Sequence, residues 1–211
     1  MVARVDKVVV SGVFSLDGQD FDVDNNVWLV GDDDEVLVID APHDAAPIVE
    51  AIGGRRVTAI VLTHGHNDHI TAAVALREAT GAPIWFNADD RMLWDVVYGG
   101  DGGRAEDRAA VPDRALAEGV TFHVAGTTLT ALHTPGHSPG STCLYAPDLG
   151  TVFTGDTLFC GGPGATGRSY SDKPTILESI RVRLLTLPGG TVVRTGHGDD
   201  TTIEAEVGNI A

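Results

Sequence analysis

A chain of 211 residues, 43% hydrophobic and 21% charged, is long enough to bury a core and has the make-up of a soluble globular protein. Its formal net charge of −16, with no Lys/Arg stripe to relieve it, repels phosphate backbones and disfavours a nucleic-acid partner. Two cysteines are too few for a disulfide framework, no apolar stretch approaches the ~20 residues that span a bilayer, and the first residues lack a secretory apolar core. The expectation is a cytoplasmic protein with no membrane association.

The elements follow in order. Val8 to Val10 is a short β-branched strand. Asn26 to Val30 and Glu35 to Ile39 are two more, joined by the turn Gly31-Asp32-Asp33-Asp34. Ala45 to Ile52 has helical spacing and stops at Gly53-Gly54. Val57 to Leu62 is a continuous apolar run, the mark of a strand covered on both faces. Ile70 to Thr80 reads as a helix, Pro83 to Phe86 as a strand, and Ala88 to Val97 as another helix. Gly99 to Asp113 carries no periodicity and reads as loop. In the second half, Val120 to Val124 and Thr127 to Leu132 form one hairpin, and Ser141 to Tyr145 with Thr151 to Thr154 another. A Gly-rich loop, Gly161 to Lys173, precedes a helix over Thr175 to Leu187, a strand over Thr191 to Arg194 and a final helix over Ile203 to Ile210. Each half runs from strands into helix and strand again, which suits two sheets packed face to face with helices outside, in a single domain over 1–211.

Chemistry concentrates in Thr63-His64-Gly65-His66-Asn67-Asp68-His69, directly after the buried strand. Four metal-ligating side chains crowd into six positions, and one loop cannot easily fill two metal shells. Three further groups repeat the pattern of a strand followed by a ligand beside glycine: Pro135-Gly136-His137, Gly155-Asp156-Thr157 and Gly196-His197-Gly198. Glycine at such positions lets backbone approach a site closely. A lone His137, His197 or Asp156 is more often a loop or capping residue; four coincident groups at strand ends read as a metal site. His43, His123 and His133 take packing roles, with His133 also placed near a ligand turn. Asp40 either orients a ligand imidazole or caps the helix that starts at Ala45. Cys143 reads as a small buried apolar residue.

These motifs resemble those of the metallo-β-lactamase-fold hydrolases, and within them the glyoxalase II-like thioester hydrolases, from Asn26 to about His197. The resemblance implies an αββα sandwich of the α+β class, with two mixed β-sheets face to face. It implies His64, His66 and His137 on one divalent metal, and Asp68, His69 and His197 on a second. Asp156 bridges the two, and Asp68 also orients the attacking water as a catalytic group. Zinc is the metal expected first, with iron or manganese as alternatives. The implied partner is a small-molecule thioester, whose thiolate leaving group needs little acid assistance. Arg168 and Tyr170 keep the Arg/Lys-x-Tyr spacing of the family's substrate contacts, although the cysteine of that stretch is missing and the C-terminal helical extension that meets glutathione is not expected. Three other readings stay open: a persulfide dioxygenase using one iron, a lactone, β-lactam or phosphodiester hydrolase, and a metal-binding interaction protein.

Overall fold

The structure is a computed structural model that describes residues 2–99 and 111–210. The first sheet runs β1 (Arg4–Leu16), β2 (Gln19–Gly31), β3 (Glu35–Ile39), β4 (Arg56–Val61), β5 (Ile84–Phe86) and β6 (Arg114–Ala115) in spatial order. Its first two pairings are antiparallel and the remaining three parallel. The second sheet is built from β7 (Thr121–Val124), β8 (Thr127–His133), β9 (Thr142–Ala146), β10 (Thr151–Gly155), β13 (Val192–Thr195) and β14 (Thr201–Thr202). Between β10 and β13 lies a two-stranded ribbon of β11 (Leu158–Phe159) and β12 (Gly162–Pro163). Both large sheets are mixed, as the resemblance implies.

Alternation along the strands sorts the core into three slabs. On β2 and β3, Val27, Leu29, Val36 and Val38 face outward, beneath α1 (Ala45–Ile52), α3 (Ala73–Thr80) and α4 (Arg91–Tyr98), and pack with Ile48, Leu76 and Trp94. Their neighbours Trp28, Val30, Leu37 and Ile39 point the other way and meet Leu129, Leu144 and Phe153 of the second sheet. Cys143, Val152 and Val193 face outward from that sheet onto Ile176, Ile180 and Leu184. A strand with a covering on both faces favours apolar residues at successive positions, which is why the buried run Ala59 to Leu62 shows no alternation. The result is the αββα sandwich.

Several expected boundaries shift. The strand expected at Val8 to Val10 is 13 residues long and pairs along its whole length with β2 through an Asp17-Gly18 turn. Both turn residues have positive φ, 54° and 73°, the twist a two-residue hairpin requires. The helix expected from Ile70 to Thr80 is two pieces, α2 (Asn67–Ile70) and α3, separated by Thr71 and Ala72. The last long helix begins as α5 (Lys173–Ser179) and continues as a π-turn over Ile180–Leu184, while the C-terminal helix shortens to α6 (Ile203–Glu206) before a 3-10 turn. The Gly161 to Lys173 stretch is loop apart from the β12 ribbon strand and Lys173, the first residue of α5. Most of the expected loop at Gly99 to Asp113 lies outside the described residues. Among the described residues no helix is long and apolar enough to cross a membrane.

Candidate metal centre

All seven motif ligands converge where the two sheets meet. His64 and His66 leave the end of β4; the single turn of α2 turns Asp68 and His69 inward; His137, Asp156 and His197 follow β8, β10 and β13. Asn67 starts α2 and points away, donating from Nδ2 to Val13 O at 2.9 Å and accepting from Ser15 N at 3.0 Å, so the ligand turn is fastened to β1. Gly196 is held tightly: a Cβ there would fall 2.3 Å from Asp156 Oδ1 and 2.9 Å from His69 Cε1. Any larger residue would push into two ligands at once.

The ligand atoms form three overlapping groups, each with its ligating atoms within 4.8 Å of one another: the trios His64/His66/His137 and Asp68/His69/His197, and His64/His69/Asp156, which joins them. In the first, His66 Nδ1 lies 3.0 Å from His64 Nε2 and 2.9 Å from His137 Nε2. These are not ordinary hydrogen bonds. His64 Nδ1 faces Thr63 Oγ1 at 3.1 Å, whose own hydrogen goes to Asp40, so Nδ1 is the donor and Nε2 a bare lone pair. His137 Nδ1 donates to Ala165 O at 2.8 Å, with the same consequence. At most one of the two lone pairs can be met by a proton on His66, whose Nε2 is buried without a partner. Converging imidazole lone pairs are what a cation satisfies.

The second trio is held by different supports. His69 Nδ1 donates to Asp40 Oδ2 at 2.9 Å and His197 Nδ1 to Asp24 O at 2.8 Å, which leaves the two Nε2 atoms facing each other at 3.2 Å. Asp68 Oδ2 lies 3.3 Å from His197 Nε2 and 3.7 Å from His69 Nε2. Asp156 stands between the trios: Oδ1 is 3.3 Å from His69 Nε2, and Oδ2 is 3.6 Å from His137 Nε2 and 3.5 Å from His197 Nε2. Asp68 Oδ1 and Asp156 Oδ1 are buried without partners. The donor set, imidazole and carboxylate with free lone pairs in a buried pocket, fits divalent metal.

Electrostatics divide along the same line. Burial, together with the neighbouring imidazoles, holds the pKa of His64 well below the ordinary histidine range and pushes His66 down to about 3. Burial also opposes charge on His69 and His197, but Asp156 and Asp68 outweigh it, holding His69 well above its usual value and His197 at about 10. The same imidazoles hold Asp156 well below the carboxylate range despite its burial. Carboxylates that attract protons to the second trio attract a divalent cation in their place.

Asp40 settles one open choice. Its carboxylate orients His69 and accepts from Thr63 N at 2.7 Å and Thr63 Oγ1 at 2.9 Å; the cap of α1 is Asp44, which accepts from Ala46 N at 2.9 Å. Asp90 carries no motif signal and is nonetheless fully buried beside the first trio. It accepts from Gly65 N at 2.8 Å, Ser138 Oγ at 2.6 Å and Gly140 N at 2.6 Å, tying the loop of His64 and His66 to the turn of His137. Its only trace in the sequence is an acidic residue at the start of an amphipathic helix. His133 Nε2 reaches Pro139 O at 2.9 Å and braces the His137 turn.

The centre opens into a cavity of about 410 Å³ walled by Phe14, Val23 and Phe159. Phe14 stands edge-on to His66 with ring centroids 5.3 Å apart. Arg168 and Tyr170 do not line this cavity. Arg168 donates from Nη1 to Gln19 Oε1 at 2.9 Å and lies over the Phe21 ring at 4.7 Å, fastening the 161–173 loop to the β1–β2 hairpin. Tyr170, 47% exposed, lines an adjoining cavity with Asp17, Leu93 and Val96 that shares His66 with the metal pocket.

The profile of the metallo-beta-lactamase superfamily matches residues 21–197, and the chain belongs to that superfamily. It is 37% identical over 86% of its length to a probable metallo-hydrolase, YqgX, of Bacillus subtilis, covering 88% of that relative. It is 34% identical over 86% of its length to the hydroxyacylglutathione hydrolase GloC of Haemophilus influenzae, covering 89% of it. The crystal structure of TTHA1623 in a di-iron-bound form superposes with a TM-score of 0.74 at 32% identity, over 87% of this chain and 92% of that one. The chain is thus a metallo-hydrolase homologue whose His/Asp clusters suit divalent metals.

Proposed function

We propose that the protein is a dinuclear metal hydrolase that cleaves a small-thiol thioester. The observation that carries the two-metal reading is the placement of Asp156, with one carboxylate oxygen toward His69 and the other toward His137 and His197. The similarity to a hydroxyacylglutathione hydrolase supports the thioester as the bond cleaved. His64, His66 and His137 would hold one ion, Asp68, His69 and His197 the other. Zinc fits the donor set first, and iron or manganese also suits it.

Bound divalent ions supply a water that ionises near pH 7 and polarise the substrate carbonyl. The chain's own residues do the rest. Asp68 turns Oδ2 to the second trio and keeps Oδ1 free, so that carboxylate oxygen accepts the hydrogen of the attacking water and aims its lone pair at the carbonyl carbon. Phe14, Val23 and Phe159 offer an apolar wall to the acyl or thiol portion and exclude bulk water from it. A simple thiolate leaves with a pKa near ~8.5 and needs no strong acid at its sulfur. Arg168 and Tyr170 act at the rim, on the part of the thiol carrier that extends past the cavity.

A panel of thioesters assayed by release of free thiol, run beside lactones, β-lactams, phosphodiesters and a persulfide with oxygen uptake, tests this reading. Thioester turnover that exceeds the others and disappears in His66→Ala supports it. Oxygen uptake on the persulfide with one iron per chain would replace it with the dioxygenase reading.

A further inference from the structure

Asn25 belongs to none of the ligand motifs, yet its side chain is fully buried against the second trio. Its Nδ2 lies 3.1 Å from Asp68 Oδ2 and 3.3 Å from both His69 Nε2 and His197 Nε2, so the amide caps the trio from one side. Asp68 Oδ2 is an acceptor for this NH2 group, while each imidazole Nε2 is donor or acceptor according to where its proton sits. At the other end, Asn25 Oδ1 lies 2.8 Å from His43 Nε2. His43 is placed for this contact at a conformational cost, since its φ of 50° is in the left-handed region that side chains disfavour. Its ring also occupies the space a side chain on β1 would fill: a Cβ on Gly12 would fall 2.2 Å from His43 Nδ1.

We propose that Asn25 is an additional ligand of the second metal position, presented by His43, with its amide turned over so that Oδ1 faces the cation. This rests on the two-metal reading of the centre. Without a cation, an NH2 group directed at the Asp68 carboxylate is favourable and holds the amide against the second trio. With a cation among them, the same N–H dipoles point at positive charge, and a half-turn about Cβ–Cγ exchanges nitrogen for oxygen at the same place. The turned amide then donates from Nδ2 to His43 Nε2. A neutral imidazole can present that nitrogen as donor or acceptor, so His43 serves both orientations. Gly12 has to be glycine for the ring to reach the amide.

The test titrates metal-stripped protein with Zn2+ by calorimetry, with metal content measured after desalting, for the unsubstituted protein, N25A, N25D and G12A. Absorption spectra of the Co2+-loaded forms report the coordination of each position. The unsubstituted protein takes up two ions. N25A keeps the first binding step and weakens the second by about 10–100-fold, the range for groups that support a metal site. N25D has an oxygen at either end and restores the second step, and G12A weakens it without touching the amide itself. The proposal is overturned if N25A binds both ions as the unsubstituted protein does, if N25D is as weak as N25A, or if N25A loses both steps together. Uptake of one ion by the unsubstituted protein would instead overturn the two-metal reading, and the role of Asn25 with it.

Discussion

His64, His66 and His137 form an all-imidazole pocket whose two loops are tied by the buried carboxylate of Asp90. Asp68, His69 and His197 form a carboxylate-bearing pocket backed by Asp40 and faced by Asn25. In the first, burial holds His64 and His66 in the neutral form, ready to donate lone pairs. The second carries its negative charge with it and holds protons where a cation would sit. Two positions in contact, built largely from histidine, are therefore prepared in different ways. The supports, more than the ligands, set the difference.

The comparison can be broken at several points. Asp156 lies between the pockets, so Asp156→Ala should abolish the distinction by damaging both. Thioester turnover falls by more than about 100-fold, beyond the range that outer supports reach, and metal content drops at both positions. Asp90→Ala should act on the first pocket. It strips three donors of their partner in the core, so unfolding in denaturant should show a loss of about 3 kcal/mol, with weaker binding of one ion. Asp40→Asn is its counterpart: about 10-fold weaker binding at the second position, read by metal titration, with the first intact.

Thr63 sharpens the comparison because it touches both sides, donating to Asp40 and accepting from His64 Nδ1. Thr63→Val should weaken both binding steps, each by less than the Asp40 or Asp90 change. An effect confined to one step would mean that the hydroxyl serves one pocket alone. Smaller still is Arg168→Ala, which loosens the 161–173 loop from the hairpin. It should raise KM a few-fold for the thiol carrier it meets and leave metal content unchanged. At the bottom of the scale, Cys143 should resist alkylation in the folded protein while exposed Cys160 reacts. Burial pushes the Cys143 thiol up to about 11, far above neutral pH.

What was legible in the sequence follows from the same physics. Ligands must be particular residue types in a tight spacing beside glycines, so His64 to His69, His137, Asp156 and His197 stand out in one dimension. The sandwich was legible through continuous apolar runs such as Val57 to Leu62, which need covering on two faces. Supports have no such signature. Asp90 sits 25 residues from Gly65 and 50 from Gly140, and Asn25 sits 43 from Asp68 and 172 from His197. Only the folded topology brings them together. The β1–β2 hairpin was undercalled for a different reason. Its Asp17-Gly18 turn is a strong hairpin signal, but the flanking strands mix Asp and Ser with Val and Phe because that end of the hairpin leaves the core and stands largely exposed. Arg168 and Tyr170 matched a spacing; Arg168 is fastened to Gln19 and Phe21, and Tyr170 lines a cavity beside the metal pocket that shares His66 with it.

The central claim is that two unlike pockets each hold an ion and that hydrolysis needs both. Its most direct test is stepwise addition of metal to the stripped enzyme, with ion content and thioester turnover followed in the same samples. Two binding steps of distinct affinity are expected, with turnover reaching its plateau at two ions per chain. Full turnover at one ion per chain, or turnover that persists in the stripped enzyme, would contradict it.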